Sequence, residues 1–321
     1  MYHRINDSTV MEFILMGLSS RRDLQIALFP IFVLIYLFTI LGNAGIMFLV
    51  YKNARLRTPM YFFICSLSFL DLCYSSDITP KMIVDLFYEK KTISYIGCAV
   101  QLFFFCTFGT TECCLFAVMA YDRYVAICNP LNYNIVMRST TCILLVSGAY
   151  TIGFVHSLIE ICFTFHLYFC ASNILHHFVC DFPPLLSISC TDTSINELII
   201  FIFSSAITML SMFIIIPSYV AIFLAILKIK HMGRKGRKKA FSTCSSHIIA
   251  ASIFYCTILF VYLTPKSKSS VQSEVIAAVI YTAAIPMVNP IIYSFRNKEM
   301  KPSHRKKQRN SKLQSPKGKS D

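Results

Sequence analysis

The stretch from Gln25 to Val50 reads QIALFPIFVLIYLFTILGNAGIMFLV and holds no charged side chain. Hydrocarbon about 30 Å thick is crossed by about 20 predominantly apolar residues, because a helix rises about 1.5 Å per residue. This stretch is long enough, and six more follow it: Pro59 to Leu86, Cys98 to Ile127, Thr140 to Phe165, Glu197 to Ile229, Lys239 to Thr264 and Val271 to Phe295. The second is the least clean, with Asp71, Asp77 and Asp85 inside it and Pro80 and Lys81 near its outer end. Of the 321 residues 55% are hydrophobic and 14% charged, where soluble globular chains carry about 25% charged residues. That composition excludes an ordinary soluble enzyme. No stretch shows the period-two alternation of a membrane barrel, and no internal repeat of the kind that marks many transporters is visible. The expected fold is an all-α membrane protein, a seven-transmembrane helix bundle over residues 25–295, with an N-terminal segment 1–24 and a basic tail 296–321.

An odd number of spans puts the two ends on opposite sides, and the Lys/Arg distribution chooses which is cytoplasmic. Of the 30 basic residues, 22 fall around the 1–2, 3–4 and 5–6 connections and the tail. The N-terminus is thus expected outside and the C-terminus in the cytoplasm; Arg21 and Arg22 oppose this locally, so the total decides. The first 24 residues are polar and lack the apolar core of a cleavable signal, so the first span is expected to serve as signal anchor. Asn6-Asp7-Ser8 is a glycosylation sequon on the outer side. Cys98, Cys170, Cys180 and Cys190 fall there too, where disulfides persist; spacing does not choose among their three pairings. The other ten cysteines are read as small apolar core residues. Because the basic excess flanks spans on one side, it signals topology and contact with anionic lipid, from Lys228 to Lys239 and Lys298 to Lys319, and a nucleic-acid partner is excluded. Ser303, Ser311, Ser315 and Ser320 in the tail are phosphorylation candidates.

A carboxylate in hydrocarbon costs several kcal/mol unless paired or hydrated, so intramembrane acids mark function. Asp71 lies 12 residues after Pro59, about 18 Å of rise, and Glu112 lies 11 residues before Arg123, about 16 Å. At one depth the two acids are expected to share a proton or hold Na⁺, with Asn43 and Asn289 completing a polar cluster; a structural hydrogen-bond network is the compatible alternative. Pro217, Pro286 and Pro290 interrupt spans 5 and 7, as hinges or as packing kinks. Asp122-Arg123-Tyr124 ends span 3 with an adjacent acid and base, read either as topology marking or as an arginine restrained by its neighbour and released to a cytoplasmic partner.

Three runs carry a resemblance. Met119-Ala120-Tyr121-Asp122-Arg123-Tyr124-Val125-Ala126-Ile127-Cys128 and Pro286-Met287-Val288-Asn289-Pro290-Ile291-Ile292-Tyr293, on seven spans, resemble a rhodopsin-like G protein-coupled receptor. Lys239-Ala240-Phe241-Ser242-Thr243-Cys244-Ser245-Ser246-His247 narrows the likeness to the odorant (olfactory) receptors. The Leu56 to Tyr61 stretch, Ser66 to Asp71 and the three-cysteine outer loop belong to the same pattern, which covers Phe13 to Met300. The resemblance implies disulfides Cys98–Cys180 and Cys170–Cys190, sodium-site acids Asp71 and Glu112, an inner switch of Asp122, Arg123, Tyr219 and Tyr293, and a plasma-membrane receptor of sensory cilia. It implies a small volatile odorant as ligand and a stimulatory, olfactory-type G protein that raises cyclic AMP. The sequence departs from the pattern at Arg57 in place of His, Tyr150 in place of Trp, and Cys256 in place of Gly near the expected pocket floor; the tail is longer and more basic.

Stepping by three and four along span 3 gives one inward face: Phe105, Gly109 and Glu112, flanked by Cys106 and Thr110. The resemblance adds Phe203, Ser204 and Ile207 from span 5, Tyr255, Ile258, Leu259 and Tyr262 from span 6, and Val279 and Thr282 from span 7 as ligand-binding positions. Such a wall suits a small, mostly hydrocarbon ligand held by burial and one or two hydrogen bonds. Phe105 stands where amine receptors of the superfamily present an acid, which disfavours a biogenic amine; Glu160, near the outer end of span 4, weakens that exclusion unless it faces the loop or an interface. His176-His177-Phe178-Val179-Cys180-Asp181 is read as loop surface, since a disulfide at Cys180 removes the thiolate a soft metal needs. An enzyme is not expected: no HExxH, GxSxG or phosphate-cradling loop is present. A channel or transporter using Asp71 and Glu112 as an ion path is the remaining rival.

Overall fold

The computed structural model describes residues 11–19, 21–170, 172–228, 234–263 and 271–296, with side chains for all of these except 234–243, 261–263, 271 and 294–296. Asn6, the tail serines and residues 229–233 of the Lys228 to Lys239 run lie outside the described residues, and the Tyr262 side chain outside the described side chains. Seven long helical segments follow in order: α1 (Arg22–Lys52), α2 (Pro59–Asp85), α3 (Tyr95–Cys128), α4 (Ser139–Thr164), α5 (Ser194–Lys228), α6 (Arg234–Leu263) and α7, which runs through Val271–Val279, Ile280–Ala284 and Ile285–Arg296. Six of them are long and apolar enough to cross a membrane; α6 starts in basic sequence and carries its apolar run at Cys244–Phe260. The bundle is a multi-pass membrane architecture.

Helix α3 is the central post, packed against α2, α4, α5 and α6, while α1 packs on α2 and α7. It starts where the Ser94 side chain accepts the Gly97 N–H at 3.0 Å, a cap for an otherwise unpaired donor. Its closest neighbour is α4: a Cβ added at Gly153 would stand 2.6 Å from the Thr107 carbonyl oxygen, so only glycine permits this approach. The principal core, with Leu67, Leu70, Leu115 and Phe116 at its centre, joins α2, α3, α4, α6 and α7.

The proline breaks in α7 have a physical account. Pro290 has no N–H, so the Pro286 carbonyl loses its intrahelical partner, and the Asn43 amide of α1 donates to it at 3.0 Å instead. Gly42 leaves room for the same ring, since a Cβ there would lie 3.0 Å from Pro290 Cβ. A turn of π-helix at Ile280–Ala284 precedes Pro286 and absorbs its missing donor.

A small sheet that sequence periodicity does not announce closes one end. Its strands are β1 (Glu12–Leu15), β2 (Thr92–Ser94) and β3 (Ile174–Leu175); β1 lies in the middle, antiparallel to β2 and parallel to β3. Phe13 is fully buried, its ring 6.0 Å from Tyr95 and edge-on to Phe169 at 5.6 Å. The strand leaves through Gly17 at φ 73°, a left-handed conformation that favours glycine, beside buried Lys91. Lys91 donates to the carbonyls of Met16 and Ser19 at 3.3 and 3.4 Å, and burial lowers its pKa.

Lys81, which made the second span ambiguous, pairs with Asp85 one turn on at 2.9 Å and donates to the Thr92 carbonyl at 3.0 Å. The reading of all ten remaining cysteines as core requires correction. Cys106, Cys113, Cys142 and Cys244 are buried, but Cys162 and Cys256 are exposed on the bundle's outside. Cys256 therefore does not sit at a pocket floor.

Candidate functional site

Both disulfides that the resemblance implied are formed. Cys98–Cys180 ties the N-terminal end of α3 to the long loop between α4 and α5, and Cys170–Cys190 closes that loop on itself, with Cα separations of 5.5 and 5.8 Å. The loop lies directly on the bundle: the Cys180 N–H donates to Gln101 of α3 at 3.2 Å. His177 corrects the loop-surface reading. It is buried, its Nδ1 accepts the Val179 N–H at 3.3 Å, and burial lowers its pKa. Asp181 is raised by burial and accepts the Tyr281 hydroxyl at 3.3 Å.

Beneath the loop the inward face of α3 meets α5, α6 and α7. Tyr255 donates to Ser211 Oγ at 2.7 Å, and Cys113 Sγ lies 3.1 Å from Ser211 and 3.2 Å from Tyr255, so three helices close into a polar knot. One turn outward from Cys113 stands Gly109, where an added Cβ would meet nothing within 4 Å: open space lies above the knot. Ile207 and Ile258 are partly buried and pack against the principal core. Phe105, a further turn outward, is held between Tyr74 and Tyr281, each 5.6 Å away between ring centres. Cys106 is buried and Val279 is partly buried. Thr282 is buried, and its hydroxyl donates to its own helix at Ala278, 2.7 Å away. Phe203 and Leu259 are more than a third exposed.

The remaining two hydroxyls of the expected wall turn toward α4. Thr110 Oγ1 is 3.0 Å from His156 Nδ1, and Ser204 donates to Glu160 Oε1 at 3.2 Å. Glu160 is thus neither at the loop nor at an outward interface but buried inside the bundle.

Deeper, Asn289 donates to both oxygens of Asp71 at 3.2 Å. Asp71 and Glu112 are both buried, and Glu112 Oε1 and Asn43 Oδ1 have no hydrogen-bond partner among the described residues. Among the described residues no three His, Cys, Asp or Glu converge as a transition metal would require. Carboxylate and amide oxygens are hard donors, of the type that could hold a hard cation.

At the opposite end of α3, Arg123 Nε donates to Asp122 Oδ2 at 2.8 Å, joined there by Nη2, while the Tyr133 hydroxyl donates to Oδ1 at 2.8 Å. Burial, then the Asp122 charge, raises the Tyr133 pKa. Tyr219 is hydrogen-bonded to His247 rather than to the arginine, and the Tyr293 hydroxyl is buried with no partner among the described residues.

A family model described as "Olfactory receptor" matches residues 32–307. Olfactory receptor 5AP2 of Mus musculus is 50% identical, the match covering 94% of this chain and 94% of its own length. Olfactory receptor 5G9 of Mus musculus and olfactory receptor 5I1 of Homo sapiens are each 49% identical, over 92% of this chain and 94% of theirs. The chain belongs to the olfactory receptor family. It is a multi-pass plasma-membrane receptor for odorants, and not an enzyme.

In this olfactory receptor the sequence reading misses the roles of three residues and the direction of a fourth. Tyr133, in the short helix Tyr133–Val136 after α3, grips Asp122, and no spacing rule links the two. His247 stood in a quoted motif without a role. His156 was not singled out, although its four-residue separation from Glu160 places both on one face of α4. Glu160 was noticed, but its direction was not. Of the receptor's departures from the family pattern, Arg57 caps the C-terminal end of α1 through the Tyr51 carbonyl at 3.1 Å, and Tyr150 leaves its hydroxyl without a partner among the described residues.

Proposed function

We propose that this receptor takes a small, mostly apolar volatile ligand in the outer half of the bundle and, in response, activates a stimulatory, olfactory-type G protein, raising cyclic AMP. The observation that carries the proposal is the restrained Arg123. A guanidinium held by a single carboxylate, itself held by Tyr133, is a cation that a change in helix packing releases to a partner. The open space at Gly109 and the knot of Tyr255, Ser211 and Cys113 stand on the same face of α3, so a ligand there bears on α5 and α6 together. The wall of Phe105, Cys106, Gly109, Ile207, Ile258 and Val279, with Phe203, Leu259, Tyr262 and Thr282 around it, offers burial and few hydrogen bonds. Contacts of that number supply roughly −4 to −8 kcal/mol, millimolar to micromolar affinity.

Asp71 and Glu112 would hold a structural Na⁺, with Asn43 and Asn289 alongside; such an ion neutralises the buried acids. The N-terminus faces outside and the basic tail the cytoplasm. That orientation is supported by the disulfides and the sheet at one end and the basic residues toward the other.

The test is a cyclic AMP screen of a chemically diverse odorant panel on cells displaying the chain, repeated with Arg123→Gln. The glutamine still donates to Asp122 but carries no charge. Agonist response in the native chain, with at least a tenfold loss in the variant at equal surface display, is the expected outcome. Silence of the native chain across the panel, or ligand-evoked conductance in reconstituted membranes without any G protein, overturns the proposal and favours the channel reading.

A further inference from the structure

Helix α5 carries a buried stripe, Ser211, Ile215, Ser218, Ile222 and Ile226, at the three- and four-residue steps of a packed helix face. The same steps continue toward the disulfide-bonded end through Ile207 or Thr208 to Ser204 and Ile200. Ile200 is buried again, yet no residue from Phe201 to Leu210 is. For nearly three turns α5 therefore has no fully covered face. Helix α6 opens at the same level: Phe254, Tyr255 and Thr257 are buried, but Ile258 is half-buried and Leu259 is more than a third exposed. Helices α2 and α3 stay packed there, with Tyr74, Ile78, Leu102 and Cys106 buried.

The polar knot fixes where this gap leads. Ser211 of α5 and Tyr255 of α6 both reach Cys113, so that face of α3 looks at the seam between the two helices. Gly109 is one turn away on the same face, and among the described residues an added Cβ there meets nothing within 4 Å. At that level the seam is bordered by Ile207 and Thr208, one turn from Ser211, and by Leu259, one turn from Tyr255. The way in from the disulfide-bonded end is filled instead. Phe13, Leu175, Cys180 and Leu185, each 0% exposed, belong to one apolar core with Leu102 and Cys106 of α3.

We infer that the seam between α5 and α6 is a lateral entrance, through which a small apolar molecule dissolved in the bilayer reaches the ligand site, with the Ser211, Tyr255 and Cys113 knot as its floor. The inference rests on the ligand site proposed above. A hydrocarbon molecule is enriched in the membrane about fourfold per CH₂, so the bilayer and not the water is where it is concentrated. Entry between α5 and α6 leaves both disulfides and the sheet undisturbed, whereas entry from that end has to part a continuous core. The same route excludes charged molecules, which stay in water.

The experiment places the full chain in phosphatidylcholine vesicles that contain a phosphatidylcholine with a diazirine midway along one acyl chain. After irradiation the adducts are mapped by mass spectrometry. The headgroup holds this probe in the membrane, so it reaches the interior of the bundle only sideways. Adducts are expected on Phe105 or Gly109 of α3 and on Thr208 and Leu259 at the seam, beside those on the strongly exposed Met209 and Phe213. Thr208→Trp, which narrows the seam, is expected to lower the α3 adducts at least threefold relative to those on Phe213; Thr208→Ala is expected to keep them. Adducts on Met209 and Phe213 with none on Phe105 or Gly109 overturn the entrance, as do α3 adducts undiminished by the tryptophan. Should the tryptophan variant fail to fold, the native map decides: α3 adducts without adducts on Thr208 and Leu259 place the route elsewhere and overturn it. Each of these failures leaves the receptor reading to the cyclic AMP screen. A silent screen with α3 adducts present overturns the receptor reading and leaves the opening in place.

Discussion

Asp122 serves two masters with its two oxygens: Arg123 on Oδ2 and Tyr133 on Oδ1. Only 1% of the Asp122 side chain is exposed, so each partner replaces water the carboxylate has lost. The tyrosine thus fixes the acid in the position from which it restrains the arginine. Tyr133→Phe removes a hydrogen bond to a charged group, worth about 1.5–3 kcal/mol, without removing the ring. We expect basal cyclic AMP to rise several-fold at unchanged surface display, since the resting state loses stabilisation that the active state does not use. Unchanged basal output would place Tyr133 outside the switch. The Asp122–Arg123 adjacency was legible because neighbouring opposite charges at a span's end stand out in any sequence. Tyr133 was not, because its reach depends on how the chain turns after Pro130.

At the level of elements, α1 and α7 are matched through two consecutive residues, Gly42 and Asn43, and two prolines one turn apart, Pro286 and Pro290. Asn43→Ala strands the Pro286 carbonyl, a loss of about 1–3 kcal/mol for a buried unsatisfied group. Gly42→Val drives a side chain into Pro290, with an overpacking cost of about 1–3 kcal/mol. Both should lower the amount of receptor at the cell surface, and the pair combined should lose less than the sum, because they disturb one contact. Fully additive losses would mean the two residues act separately. The spans that form these elements were readable from apolar length, which hydrocarbon thickness enforces. The strands were not: β1, β2 and β3 have four, three and two residues, too few for a period to emerge. Likewise the α4 face carrying His156 and Glu160 is polar inside a helix otherwise indistinguishable from lipid-facing sequence, so its direction required the packing of α3 and α5 around it.

For the whole molecule, the pairing of β1 with both β2 and β3 makes the first described residues part of the disulfide-bonded end of the bundle. Deleting residues 1–15 would uncover the Tyr95, Phe165 and Phe169 cluster that Phe13 packs against. We expect such a chain to be made at normal levels but to reach the surface at less than half the native amount, measured with a tag on the tail against surface biotinylation. Normal display would show that the strand is dispensable. In intact cells that tail tag should be inaccessible to antibody and become accessible on permeabilisation; labelling of intact cells would reverse the orientation. Of the proposed odorant site, the sequence marks the α3 face and its apolar companions. What stayed hidden was the hydrogen bonding of Thr110, Ser204, Tyr255 and Thr282, because a hydroxyl's partner is chosen by the neighbouring helix and not by its own.

The central position of β1 also sets an order of assembly. Its antiparallel partner, Thr92–Ser94, follows α2, but its parallel partner, Ile174–Leu175, follows α4, so a ribosome has delivered four helices to the membrane before β1 gains its second neighbour. Until then Phe13 has Tyr95 beside it but not Phe169, and a cell that inspects newly made receptors for uncovered greasy surface can read from that half-covered ring whether synthesis has passed the halfway point.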